Sequence, residues 1–256
     1  MIKKLVNTNY KTTNVVVNIS VQKPTKVRLL AFDPYKKGAI YIDRWKTINK
    51  TEELEIRLPK SPKHLQIVLK PESANSLIKI NSIKTKKLNQ YSYCFKSSKK
   101  IKEFVKFDQN FSENLALLKP GTYYSDNGKF RIDLKPVITD DVSKKALLTP
   151  ARISNINGRI EVSKEHFLKM TIPMRVAILL HEFSHFNLNK KQKDEIEADL
   201  NALKIYLGLG YPYVEAHKSF IHTFKENQSA QNINRYKYIK KFVNNFDRMK
   251  YSLCLT

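Results

Sequence analysis

Thr171-Ile172-Pro173-Met174-Arg175-Val176-Ala177-Ile178-Leu179-Leu180-His181-Glu182-Phe183-Ser184-His185 is the stretch on which the reading of the chain turns. Its apolar run predicts a buried helix. Thr171 stands where an N-cap belongs, and Pro173 falls in the first turn, where a missing N–H costs little. Carried through to the two histidines, the helix sets His181 and His185 about 40° apart around its axis, both rings facing one way. Glu182 lies about 60° from His185, within reach of a water held by the two imidazoles. Two nitrogen ligands on one helix beside a carboxylate general base is the pattern of a catalytic metal site.

A catalytic zinc takes three protein groups and keeps a position open for water. After Asn187-Leu188-Asn189-Lys190-Lys191 the chain enters Asp194-Glu195-Ile196-Glu197-Ala198-Asp199-Leu200, the start of a second helix. Ile196, Leu200, Leu203 and Leu207 recur at helical spacing and predict its buried face. Glu195 and Asp199 are four residues apart, so both carboxylates can address one object. Glu195 is the expected third ligand. Asp199 is expected to accept a hydrogen bond from the free nitrogen of a ligand histidine and fix its tautomer. Glu197 is the rival ligand; it sits about 200° from Glu195, so the two cannot both face the metal.

His-Glu-x-x-His followed by Glu-x-x-Ala-Asp resembles the gluzincin group of zinc metallopeptidases, over roughly residues 150–215. The resemblance implies a zincin-like domain in which His181, His185 and Glu195 hold Zn2+, Glu182 is the base and Asp199 orients a ligand. It also implies a hydrolase, an endopeptidase by preference, acting on protein or peptide substrates. Only nine residues separate His185 from Glu195, a shorter connection than in the best-known members.

The chain has 256 residues, 41% of them hydrophobic, with 13 Tyr and 13 Phe, enough for a sizeable core. No run reaches the 18 or more apolar residues of a membrane helix. The N-terminus has lysines but no apolar signal region, which predicts cytoplasmic synthesis. Two cysteines, Cys94 and Cys254, make no disulfide framework and read as free thiols. The net charge is +24, and residues 1–100 hold 22 Lys/Arg against 6 Asp/Glu. Such a field favours an acidic protein surface or nucleic acid as partner, although a Lys- and Asn-rich composition also follows from an AT-rich genome.

Residues 14–20, 27–32, 39–45, 54–58, 65–69 and 77–88 read as short strands separated by turn residues, an antiparallel β-sandwich. Ser97-Ser98-Lys99-Lys100 is a polar break, which predicts a basic binding or assembly domain over 1–97 and the zincin-like domain over 98–256. The fold class expected is therefore α+β. Within the second domain, Ile101 to Leu118 carries a helical stripe. Thr122–Leu134 is a hairpin turning at Asn127-Gly128. Arg152–Val162 is a second hairpin, and the resemblance implies that one of its arms binds peptide by strand addition.

A gluzincin also needs a donor for the oxyanion. Tyr211, Tyr213, His217 and His222 are eligible, and His217 ranks first, although no spacing rule selects it. The last helix sets Ile239, Phe242, Val243, Phe246 and Met249 on one side, with Lys, Arg and Asn opposite. A second resemblance, carried by composition and by no motif, is to metallopeptidase-like virion proteins of tailed phages. It implies a neck, ring or tail component, a virion location, symmetric oligomers and the metal domain kept as a scaffold.

Overall fold

The computed structural model describes residues 1–89, 98–226 and 229–249, with side chains over those ranges except 220–226 and 247–249. Cys94, Cys254 and the Ser97 side of the expected break lie outside them. The chain divides into two compact units, Met1–Asn89 with Gly210–Pro212 and the remainder.

The first unit holds β1 (Ile2–Asn7), β2 (Thr13–Val21), β3 (Thr25–Phe32), β4 (Ile40–Ile48), β5 (Thr51–Leu58), β6 (His64–Pro71) and β7 (Ile78–Lys87). They form two antiparallel sheets, ordered β1-β6-β3-β4 and β5-β2-β7. The expected strands bury their apolar residues: Val15, Val17 and Ile19 of β2 and Val27, Leu29 and Ala31 of β3 are all withdrawn from water. Each such Val, Leu or Ile contributes roughly 1.5–3 kcal/mol, so a one-residue slip that exposed them would be expensive. β1 was not foreseen. It is an edge strand, and Lys3 and Lys4 hide its alternation, charged as exposed edges usually are.

The outer face of the four-stranded sheet carries apolar side chains among charged ones. Strand register sets Leu5, Gln66, Phe32 and Ile40 in one row, Lys3, Val68, Leu30 and Asp43 in the next, then Lys70, Arg28 and Trp45. Leu5 is 53% exposed and Trp45 is 45% exposed.

The second unit runs α1 (Lys99–Asn114), β8 (Gly121–Tyr124), β9 (Arg131–Lys135), β10 (Ala151–Ile153), β11 (Ile160–Ser163), α2 (Lys164–Leu168), α3 (Ile172–Asn187), α4 (Glu195–Gly208), α5 (Tyr213–Glu226) and α6 (Ala230–Met249). Both expected hairpins form, β8–β9 and β10–β11. They join through a parallel pairing of β9 with β11, giving the mixed order β10-β11-β9-β8 with β10 at an edge. The protein is thus α+β, strands first. No described helix is long and apolar enough to cross a membrane.

α3 is held from both ends and from behind. Thr171 caps it through Met174 N–H, and the same hydroxyl donates to Glu215 Oε2 of α5 at 2.9 Å. Arg175, fully buried, donates to the Phe167 and Ser112 carbonyls and so ties α3 to α2 and α1. Phe183 stacks on Phe104 at 4.2 Å and meets Phe130 edge-on. Position 183 lies about 200° around the helix from 181, so anchoring Phe183 in the core turns the histidines to the other side. Gly158, in the β10–β11 turn, has φ +69°, and a Cβ there would lie 2.7 Å from Phe186 of α3. The missing side chain lets the hairpin close onto the helix.

Candidate metal centre

The helix spacing does what the sequence predicts: His181, His185 and Glu195 converge, with donor atoms of all three within 4.8 Å of one another. His181 Nε2 and His185 Nε2 are 3.0 Å apart. Glu195 Oε2 lies 3.4 Å from the first and Oε1 3.5 Å from the second. A cation about 2.0–2.1 Å from three donors at the tetrahedral angle sets those donors about 3.3 Å apart. The histidine pair, and each histidine with its nearer Glu195 oxygen, are spaced close to that.

The other ring nitrogens decide the tautomers. His185 Nδ1 is 2.6 Å from the Gln192 carbonyl, which only accepts, so Nδ1 carries the proton. His181 Nδ1 is 2.8 Å from Asp199 Oδ1. Arg235 grips that carboxylate, with Nε on Oδ2 at 2.8 Å and Nη2 on Oδ1 at 3.0 Å, so it is ionised and His181 Nδ1 is also an N–H. Both Nε2 atoms then turn lone pairs on each other at 3.0 Å, an arrangement that needs a cation between them. A proton or a metal ion fills that need, and three converging N and O donors suit zinc.

The surrounding charges act in the same direction. Burial works against a charged His181, but Asp199, then Glu195 and Glu182, outweigh it and hold the imidazole up to about 10. Burial also works against the Glu195 carboxylate, yet His181, His185 and Arg235 hold it far below the usual range. Burial pushes Glu182 up; the histidines oppose this, Glu195 adds to it, and the Ile153 N–H donates to its carboxylate. Two carboxylates in one site are thus driven apart, one kept anionic and one made more basic, the division of labour expected of a ligand and a base.

These groups open into a cleft of about 520 Å³ whose walls include Ala151–Ile153 of β10, Ser219 of α5 and Arg235 of α6. His217, ranked first as oxyanion donor, is not among its lining residues. It packs between Tyr213 and Tyr236, with Nε2 3.4 Å from the Tyr236 hydroxyl. The reason is helical phase: Ser219 faces the cleft, and two residues back is about 200° away. Tyr213 does not line the cleft either, Tyr211 belongs to the first unit, and the His222 side chain is outside those described. Glu197 turns to the short loop and accepts the Lys190 N–H at 3.0 Å, leaving Glu195 to face the histidines.

Two readings of the helices need correcting. On α4 the expected face is buried at Leu203 and Leu207 but only half-buried at Ile196 and Leu200; the helix packs against both α3 and α6, and Ala198, Asp199, Ala202 and Tyr206 are buried as well. On α6 the polar side is not all solvent-facing. Asn232 and Arg235 are buried together with Ile239 and Phe246. Arg235 reaches Glu195 Oε2 at 3.0 Å as well as Asp199. The spacing of Asn232, Arg235 and Ile239 was the available signal, masked by polarity at two of three positions.

The chain matches no protein-family model, no curated protein and no solved structure.

Proposed function

We propose that the protein is a zinc-dependent peptidase with a zincin-like catalytic domain in its second unit. The observation that carries this is the 3.0 Å approach of His181 Nε2 to His185 Nε2, with a Glu195 oxygen within 3.5 Å of each. Zinc held by these three residues would polarise a peptide carbonyl and acidify a water molecule. The residues around it supply the rest. Glu182, buried and made more basic, takes the proton from the attacking water and passes it to the leaving amine as the C–N bond breaks. Asp199 keeps His181 in the tautomer that aims Nε2 at the ion. Among the described residues β10 pairs with β11 alone, and its residues line the cleft, so an extended peptide can pair with its other edge.

Glu182→Gln tests the assignment. The zinc-loaded wild type cleaves members of a mixed fluorogenic peptide library, and the variant keeps zinc but loses cleavage. Equal cleavage by the variant would remove Glu182 from the role of base.

A second reading, an assembly component that retains the metal domain as a scaffold, is favoured by the outer face of the four-stranded sheet. Leu5, Leu30, Phe32, Ile40 and Trp45 give that face an apolar stretch, with Lys3 and Lys70 exposed beside it. Exposed apolar faces of this kind mark protein contacts. A second copy would bring lysine against lysine, so the occupant we propose is an acidic protein surface with apolar anchors. In this reading zinc binds and no library peptide is cut.

A further inference from the structure

Arg235 is outside both motifs, yet it joins two carboxylates of the metal centre. Its Nε and Nη2 engage the two Asp199 oxygens at 2.8 and 3.0 Å, and its Nη1 contacts Glu195 Oε2 at 3.0 Å. Asn232, one turn earlier on the same helix, accepts from Nη1 at 3.4 Å. We propose that Arg235 is a positioning residue: it occupies one oxygen of Glu195 so that the carboxylate is presented to the metal through the other, and it makes the docking of α6 a condition for holding the ion. The inference rests on the metal-centre reading given above.

Three features separate this role from ordinary packing. First, α6 has apolar anchors in Ile239 and Phe246, so it does not need a buried arginine to dock. Burying a guanidinium is costly unless carboxylates compensate it, and here the compensating groups are a ligand and the carboxylate behind another ligand. Second, the charges balance around a divalent ion. Glu182, Glu195 and Asp199 bring three negative charges; a divalent cation and Arg235 bring three positive ones. Third, the geometry uses the guanidinium fork. Only a planar group with donors on two sides spans both carboxylates at once, and a lysine ammonium presents a point charge instead.

The consequence is regulatory. Arg235 lies 36 residues beyond Asp199, on a different helix, so a partner or a truncation that lifts α6 removes the clamp and loosens the metal without touching any ligand.

The test uses the full chain, with zinc affinity measured by chelator competition and the absorption spectrum of cobalt(II) in place of zinc. Arg235→Met is expected to weaken zinc binding about 10- to 100-fold, as loss of an outer hydrogen-bonding partner does. Arg235→Lys should recover only part of that. In both variants the cobalt bands should weaken as Glu195 becomes free to bind through two oxygens and raise the coordination number. If Arg235→Met does not fold, Arg235→Lys, which keeps the charge, decides. Wild-type affinity and an unchanged cobalt spectrum in Arg235→Lys overturn the inference while leaving the metal centre intact. A wild-type chain that takes up no zinc overturns the metal reading, and this inference with it.

Discussion

His181 Nε2 and His185 Nε2 face each other at 3.0 Å while the Nδ1 atoms are engaged elsewhere, by Asp199 and by the Gln192 carbonyl. Histidines on a solvated helix face do not adopt this arrangement, because two lone pairs repel and water would separate the rings. The spacing suits a proton or a metal ion between the two nitrogens. Without metal, a proton held by His181 can take the place between the rings.

That substitution makes stability depend on pH. Without metal, His181 is held up to about 10 against 6.5 for a free imidazole. A folded-state value above the unfolded one gives stability that is complete below about pH 6.5 and is lost as pH rises towards 10. The metal-free melting temperature should therefore fall across that window more steeply in the wild type than in His181→Gln. Zinc must displace the same proton, so its stabilising effect should grow over the same range. Parallel melting profiles for wild type and variant would contradict the charge assignment.

Asp199→Asn keeps the shape and removes the charge that Arg235 and His181 share. The His181 tautomer is then no longer fixed, and zinc affinity should drop about 10- to 100-fold. Chelator competition reads this directly, and unchanged affinity would mean that Asp199 serves the fold alone.

Gly158→Ala tests how the hairpin is seated on α3. A left-handed backbone costs a side-chain-bearing residue about 1–2 kcal/mol. The new Cβ would also lie 2.7 Å from Phe186 Cδ1, so the total should be larger. Urea unfolding should show it, and adding Phe186→Ala should recover only the steric part.

Trp45 is the only tryptophan in the chain and lies on the outer sheet face, so its fluorescence reports on that face. A synthetic peptide alternating Glu with Leu should shift its emission to shorter wavelength, saturably and less at high salt. The same peptide with Lys for Glu should not. Equal responses to both, or none, would remove the acidic-partner reading.

Much of the centre was legible because it is local. His181 and His185 share one helix, Glu195 and Asp199 another, and four-residue spacing fixes which side chains lie together. Thr171, Pro173 and the apolar run after them marked where the first helix begins. Arg235 was not legible, because its place depends on how α6 packs across α4, and a Lys/Arg/Asn-rich face looks solvated until its partners are known. His217 shows the converse. It has the right chemistry and roughly the right position in the chain, but Ser219 takes the cleft-facing side of α5. The parallel pairing of β9 with β11 is likewise a tertiary outcome, since two hairpins in sequence carry no sign of how they join.

Zinc content of the purified 256-residue chain, measured beside His185→Ala after incubation with zinc and removal of the excess, tests the central claim most directly. One zinc per wild-type chain and none in the variant is the result predicted. A wild type without zinc, or a variant that retains as much, would contradict it.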